Sequence, residues 1–158
     1  MAENTICKLC ETPLRLKIIS PVNGEEGVLK ISIREFPGLE CERGHRQFVT
    51  REFPMQLLEQ VTGADRVGLP AGSKKGLLFK KYHCGECDTP LDADGDERAF
   101  GFDVTVADAS PMHVELIVPV YRCPSCGQEQ VREAGEVEGL APAALAHAFQ
   151  AAGIKPQA

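Results

Sequence analysis

Four stretches of the chain alternate apolar and polar residues, and this period of two predicts β-strands. The stretches are 14–18, 28–34, 100–106 and 114–118. Asn23-Gly24 lies between the first two stretches and is typical of a tight hairpin turn, so they are predicted to pair across it. A short further strand is predicted at 47–50, after residues 36–41 have led the chain back toward the first cysteine pair.

Two segments have the pattern of short helices. Residues 54–61 place apolar side chains at helical spacing, with Pro54 in the first turn and Gly63 as a stop. Residues 141–150 are rich in alanine and end near Gly153. Each half of the chain therefore has the same predicted order of elements, strands followed by one short C-terminal helix.

The composition favours a small, turn-rich β protein without a large aromatic core. Aromatic residues make up 6% of the 158 residues, Trp is absent, and the chain holds 15 Gly and 11 Pro. Small domains that bury little apolar surface usually need a cross-link such as a metal ion. The predicted fold class is mainly β, as a small α+β fold.

Seven cysteines and one histidine have the spacing of zinc ligands. Six of the cysteines form three C-x2-C pairs, and the seventh is followed four residues later by a histidine. Eight ligands are enough for two tetrahedral zinc sites, so two Zn²⁺ ions per chain are predicted. One site combines Cys7, Cys10, Cys41 and His45, and the other combines Cys84, Cys87, Cys123 and Cys126.

The two halves also resemble each other beyond the cysteines. Cys7 and Cys84 each open a C-x2-C pair that is followed by an acidic residue and Thr-Pro-Leu, about 77 residues apart. This repeat predicts an internal duplication of zinc-ribbon domains, each an antiparallel hairpin or three-stranded sheet with a short C-terminal helix. The predicted domains are 1–63 and 79–158, and the glycine-rich segment 64–78 has the composition of a linker.

The histidine-containing site leaves several alternatives open. Alignment of the halves places Gly44 where Cys126 would fall, with His45 one residue later. The alternatives are a different fourth ligand, a degenerate site or an empty one. For the site with four cysteines the alternatives are cysteines without metal, a redox C-x2-C pair, or competition from His83. His113 and His147 are interpreted as surface or packing residues.

An acidic run precedes the strand predicted at 100–106. Asp92, Asp94 and Asp96 have the alternate spacing that opens a calcium loop. Glu97 stands where that loop needs glycine, and Asp103 where it needs its closing glutamate, so the run is interpreted as a solvated turn. The segment 77–79, Leu-Leu-Phe between lysines, is interpreted as a packing strand, with peptide or membrane-surface docking as the alternative.

The net charge of −6 argues against general binding to a phosphate backbone, which requires an excess of Lys and Arg. A local basic patch remains an alternative. The candidate contacts to a partner or to nucleic acid are Lys74, Lys75, Lys80, Lys81, Arg43, Arg46 and Arg51.

Each half resembles the zinc ribbons and, more narrowly, the YgiT/MqsA-type zinc-finger domain of bacterial antitoxins. The likeness lies in the C-x2-C pairs and in the apolar strands that lead to Cys41 and Cys123. The resemblance implies zinc ligands at the eight positions above, and it is compatible with a toxin- or partner-binding role. The segment 123–127, Cys-Pro-Ser-Cys-Gly, also resembles rubredoxin, which implies iron and electron transfer as a further alternative.

The chain shows no catalytic motif and no apolar run of 18 residues, so neither an enzyme nor a membrane span is predicted. The N-terminus lacks the pattern of a secretory signal, which places the thiols in the cytoplasm in a reduced form. The predicted function is a non-catalytic zinc-binding module that binds another protein, with no small-molecule substrate. The alternative is a nucleic-acid-binding, transcription-linked zinc ribbon.

Overall fold

A computed structural model describes residues 6–76 and 81–155, and this part of the chain is mainly β with two helices, as predicted. The strands are β1 (Arg15–Ile19), β2 (Val22–Glu26), β3 (Leu29–Arg34), β4 (Phe36–Glu40), β5 (Arg46–Phe48), β6 (Ser73–Lys75), β7 (Lys81–His83), β8 (Asp96–Val104), β9 (Met112–Arg122), β10 (Glu129–Gln130) and β11 (Ile154–Lys155). The helices are α1 (Phe53–Thr62) and α2 (Glu136–Ala151). Neither is long and apolar enough to cross a membrane.

The first sheet has the strand order β1-β4-β5-β11. β4 pairs antiparallel with β1 on one side and with β5 on the other, and β11 runs parallel to β5. Three of these strands come from the first 48 residues, whereas β11 follows α2. The last described residues are therefore built into a sheet that otherwise belongs to the N-terminal half.

The second sheet combines strands from both halves of the chain. Its order is β10-β9-β3-β2, and β8 also pairs with β9. β3 lies directly beside β9, with Ile31 opposite Leu116 and Ile33 opposite Val114. The sequence predicts a separate sheet in each half, whereas the structure has one sheet with strands from both. The alternation of apolar and polar residues shows which face of a strand is buried, but it does not show which strand lies beside it.

The predicted turn at Asn23-Gly24 is wrong. Both residues lie inside β2, and the hairpin to β3 turns at Gly27, whose φ is +56°. A Cβ atom at Gly24 would lie 2.3 Å from the Ala144 carbonyl oxygen and 2.4 Å from the Ala148 nitrogen. Glycine is needed there because the backbone of α2 packs directly on β2.

The helix at 54–61 is confirmed, and the second helix is longer than predicted. α1 has Pro54 in its first turn and ends at Thr62, directly before Gly63. α2 begins at Glu136, five residues before the predicted start at 141, and runs through Pro142. An ion pair of 2.7 Å between Arg132 and Glu136 and the acidic first turn support the earlier start, because negative charge stabilises a helix N-terminus.

One hydrophobic cluster of described residues extends from Cys7 to Ile154 and draws on both halves. Four phenylalanine rings pack together within it. The centroid of Phe36 lies 5.2 Å from that of Phe53 and 5.8 Å from that of Phe149, and Phe48 lies 4.8 Å from Phe149. Because Phe149 belongs to α2, the few aromatic residues join the C-terminal helix to the N-terminal sheet.

The predicted linker at 64–78 packs on the fold over most of its described length. The guanidinium of Arg66 lies 4.3 Å from the centroid of the Phe102 ring, Ala71 forms a β-bridge with Val131, and β6 pairs with β7. The sequence predicts domain boundaries at 63 and 79, whereas described strands pair across them. The apolar segment 77–79 and Lys80 lie outside the described residues.

Candidate metal centres

The four cysteines of the second half meet at one point, which we call the four-cysteine site. The Sγ atoms of Cys84, Cys87, Cys123 and Cys126 all lie within 4.8 Å of one another. Cys84 Sγ is 3.6 Å from Cys126 Sγ, and Cys87 Sγ is 3.5 Å from Cys123 Sγ. Four sulfurs about 2.3 Å from one zinc ion lie about 3.8 Å apart, whereas a disulfide joins sulfurs at about 2.0 Å. The spacing fits four ligands on one ion.

Three cysteines and His45 form the second cluster, which we call the histidine site. Its ligand atoms also lie within 4.8 Å of one another. Cys10 Sγ is 3.6 Å from Cys41 Sγ, and His45 Nδ1 is 3.5 Å from Cys7 Sγ and 3.4 Å from Cys41 Sγ. A tetrahedral zinc ion separates nitrogen and sulfur ligands by about 3.6 Å. These contacts make Nδ1 the atom of this histidine that would bind a metal ion.

The first cysteine pair of each site has the same backbone geometry. The backbone N–H of Cys7 donates to the Thr12 carbonyl over 2.8 Å, and that of Cys84 donates to the Thr89 carbonyl over 2.8 Å. Each loop is closed by a β-bridge to the proline after the threonine. The acidic residue before each threonine has a positive φ. The repeated Thr-Pro motif therefore forms the base of a metal-binding knuckle.

The threonine side chains stabilise the thiolate form of the neighbouring cysteines. Thr12 Oγ1 lies 3.0 Å from Cys10 Sγ, and Thr89 Oγ1 lies 3.1 Å from Cys87 Sγ. The Thr12 hydroxyl lowers the pKa of Cys10 to about 6, and the Thr89 hydroxyl lowers the pKa of Cys87. Thiolate is the form that binds metal, so both contacts favour ligation.

The second knuckles differ in length by one residue. In one, the Gly44 N–H donates to the Cys41 carbonyl over 3.0 Å, and in the other the Gly127 N–H donates to the Cys123 carbonyl over 2.9 Å. Both glycines have left-handed backbones, with φ of +84° and +78°. Gly44 therefore matches Gly127 and not the fourth cysteine, which corrects the alignment. The shorter knuckle lacks that cysteine, and the following histidine brings its ring nitrogen to the place of the missing sulfur.

Without a cation, the sulfurs of the four-cysteine site compete for protons. The side-chain N–H of Gln130 lowers the pKa of Cys84 to about 6. The pKa of Cys126 rises to about 12, because the lowering effect of a backbone hydrogen bond at Gln128 is outweighed by burial and by the neighbouring thiols. A divalent cation removes this conflict, since coordinating thiols are deprotonated.

Gln130 is a supporting residue that the sequence did not reveal. It is fully buried, its Nε2 donates to Cys84 Sγ over 3.2 Å, and its Oε1 accepts from the Gly85 N–H over 2.9 Å. In the corrected alignment Gln130 matches Gln47, which is also buried, and β10 and β5 place them at equivalent positions. Glutamine at both aligned positions was the sequence signal that could have indicated this supporting role.

Replacing Gln130 with leucine should weaken metal binding at the four-cysteine site about 10- to 100-fold, because a buried partner of a ligand orients that ligand. Competition with a chromophoric chelator measures the affinity of each site. Gln128→Leu is the matched control, since the bonds of that residue to the knuckle come from its backbone. Equal effects of the two substitutions, or a change at both sites, would contradict the role of Gln130.

Replacing His45 with alanine should remove one tightly held metal ion and leave the other, because only the histidine site loses a ligand. Native mass spectrometry counts the ions per chain. His83→Ala is the control, because His83 precedes Cys84 but lies in neither cluster. Two ions retained by the His45 variant, or one lost from the His83 variant, would show that the ligand assignment is wrong.

The other histidines and the acidic run lie outside both clusters. His113 Nδ1 is 2.9 Å from a carboxylate oxygen of Asp103, and His147 Nδ1 accepts from the Glu25 backbone N–H over 3.0 Å. Asp92 and Asp94 lie in the loop before β8, and no calcium-type group of acidic residues is found among the described residues.

The candidate basic contacts have different surroundings. Arg46 is used internally, donating to Glu40 over 2.7 Å and to the Ala152 carbonyl over 2.9 Å. Lys75 forms an ion pair with Asp88. The exposed members among the described residues include Lys74, Lys81, Arg43 and Arg51.

Comparisons with known protein families, curated proteins and solved structures found no match for this chain. The two clusters themselves are therefore the basis for a function. They are compatible with two bound metal ions, and the likeness to YgiT/MqsA-type zinc ribbons stays a prediction.

Proposed function

We propose that this protein is a non-catalytic module in which two zinc ions hold the fold and the surface binds a protein partner. The observation that carries the proposal is the completeness of the clusters, each with four protein ligand atoms within 4.8 Å. A site with four protein ligands has no open position for water or substrate, which is typical of structural zinc.

The ligand sets support zinc as the metal. Three thiolates with one imidazole, and four thiolates, are both common sets for structural Zn²⁺. Iron in a rubredoxin-like arrangement at the four-cysteine site is the competing hypothesis. Elemental analysis should give two zinc ions per chain and a colourless solution, whereas iron with strong visible absorption would overturn the assignment.

The charge distribution supports a protein partner over nucleic acid. The net charge is −6, and several cations are already paired, among them Lys30 with Glu97 at 2.8 Å and Arg132 with Glu136 at 2.7 Å. The carboxylates in these pairs compete with a phosphate backbone for the same cations, and this weakens the counterion release on which nucleic-acid binding depends. We also infer that the chain is related to the zinc ribbons and that it functions in the cytoplasm.

Affinity capture from the native host tests the choice of partner. The metal-loaded chain should enrich the same protein repeatedly, and a chain stripped with a chelator should not, because loss of the metal should unfold the segments that the two sites hold. Gel shifts with duplex and single-stranded DNA and RNA at low salt test the alternative. Nucleic-acid binding that weakens steeply with salt, without zinc-dependent enrichment of a protein, would overturn the proposal.

A further inference from the structure

β1 is an exposed edge strand of the first sheet. It pairs with β4 on one side only, and its other side carries no backbone hydrogen bond to any described residue. Such an edge presents a row of free N–H and C=O groups that can pair with another strand. The position of β1 therefore allows a sheet to be extended by one strand.

The side chains of β1 are unusually apolar for an exposed edge. Leu16 is 66% exposed and Ile18 is 46% exposed, and their spacing of two places them on the same face of the strand. Their partners in β4 are Leu39 and Pro37, which are buried. A strand added at this edge would cover two exposed apolar side chains.

The opposite face of β1 carries two cationic side chains, Arg15 and Lys17. Lys17 Nζ lies 2.7 Å from a Glu40 oxygen, and Arg46 binds the other oxygen of that carboxylate. Arg15 is exposed and forms no ion pair with a described residue. Glu40 belongs to the neighbouring strand β4, and Glu42 lines the same depression, whereas β1 itself contributes two cations and no acidic residue. The strand that would pair is therefore positive, on a chain whose net charge is −6.

We propose that β1 docks an extended segment of a partner protein in which acidic and apolar residues alternate. Acidic side chains of the added strand would face Arg15 and Lys17, and apolar ones would face Leu16 and Ile18. Directly opposite residues on neighbouring strands contact each other. The alternating cationic and apolar side chains of β1 therefore favour a partner strand with acidic and apolar side chains at the matching positions. This inference rests on the proposed function, since it names the surface that binds the partner.

The same charges disfavour a second copy of this chain. Antiparallel self-pairing centred on Leu16 places Arg15 opposite Lys17, and self-pairing centred on Lys17 places Lys17 opposite itself. Like charges directly opposite each other destabilise a strand pair. An acidic partner strand meets no such repulsion.

Titration of the metal-loaded chain with a fluorescent peptide tests the proposal. The probe is acetyl-Gly-Glu-Val-Glu-Val-Glu-Gly-amide, and its counterpart carries Lys in place of Glu. We expect saturable binding of the acidic peptide, with NMR shifts concentrated on the amides of 15–19. Arg15→Glu and Ile18→Ser should each weaken binding about tenfold. Met55→Ser is the matched control, because Met55 is also an exposed apolar residue, at 61%, but lies on α1.

A double variant, Arg15→Glu with Lys17→Glu, should reverse the preference and bind the lysine peptide more tightly. Equal binding of both peptides by the native chain, no saturable binding, or shifts outside β1 would overturn the docking surface. Dimers in sedimentation that dissociate on Ile18→Ser would overturn it in favour of self-pairing. If Arg15→Glu and Ile18→Ser leave zinc-dependent capture of the partner intact, the proposed function stands and this surface is wrong.

Discussion

Replacing Cys84 with serine should release one metal ion and unfold the knuckles around it while the central sheet stays folded. A structural zinc ion contributes about 10–16 kcal/mol of apparent binding free energy near neutral pH, which exceeds what a short loop gains from packing. The hydrophobic cluster contains Cys7 and Cys41 but neither Cys84 nor Cys123. The four-cysteine site therefore holds a region that the core does not support.

Hydrogen exchange measured residue by residue distinguishes this local effect from global unfolding. Amides in 81–91 and 121–131 should lose about 100-fold or more of their protection, while those of β3 and α2 keep theirs. Ser125→Ala is the control within the same knuckle. Ser125 reaches Cys123 Sγ through its backbone N–H, over 3.4 Å, and the substitution leaves that group in place. Equal loss of protection in β3 would show that the site supports the whole fold.

Replacing Cys41 with serine should act differently, because Cys41 is part of the hydrophobic cluster. Loss of the metal at the histidine site should lower protection throughout the first sheet and in β3. The contrast between the Cys84 and Cys41 variants is the expected signature of one site outside the core and one at its edge.

Replacing Gly24 with alanine should destabilise the metal-loaded protein by about 3 kcal/mol. The added Cβ would lie 2.3 Å from the Ala144 oxygen and 2.7 Å from the Ala148 Cα, which are backbone atoms of α2. A backbone cannot move aside as a side chain can, so α2 must separate from β2. The midpoint of thermal unfolding should fall by about 6–12 °C.

Gly139→Ala is the matched control, because Gly139 lies on the same helix and a Cβ there meets nothing within 4 Å. Alanine is the better helix former, so this substitution should raise stability by up to about 1 kcal/mol. Thermal or denaturant unfolding should show a lower stability for Gly24→Ala and a higher stability for Gly139→Ala. A Gly24 variant as stable as the native chain would contradict the close packing of α2 on β2.

The cysteine and histidine groups could be predicted from the sequence because their information is local. Two cysteines three positions apart form one knuckle whatever the rest of the chain does, and four ligands per ion then allow few pairings. His45 was predicted by this count, and the structure brings its Nδ1 to the sulfurs. The alignment of Gly44 was wrong by one residue. The first-half loop is one residue shorter, and it keeps the left-handed turn glycine that matches Gly127 instead of keeping the residue count from the cysteine.

The pairing of strands could not be predicted in the same way. Residues 28–34 and 114–118 were both predicted to be strands, but the alternation in each describes its own two faces. Their contact, with Ile31 opposite Leu116, joins positions 85 residues apart and depends on the whole core. Asn23-Gly24 shows that local sequence alone does not fix the conformation. This dipeptide favours a turn, but it lies in β2, where α2 packs directly on Gly24.

The sequence by itself determined two things about this protein, its mainly β character and the eight Cys and His residues that form two clusters able to hold a metal ion. Both depend on spacings of a few residues, which survive any arrangement of the chain. Only the tertiary structure decided that the two halves share a sheet and a core, that Gln130 supports Cys84, and that β1 is left at an edge with Leu16 and Ile18 exposed. Those features depend on which apolar faces bury each other, and that choice is made by the packing of the whole molecule.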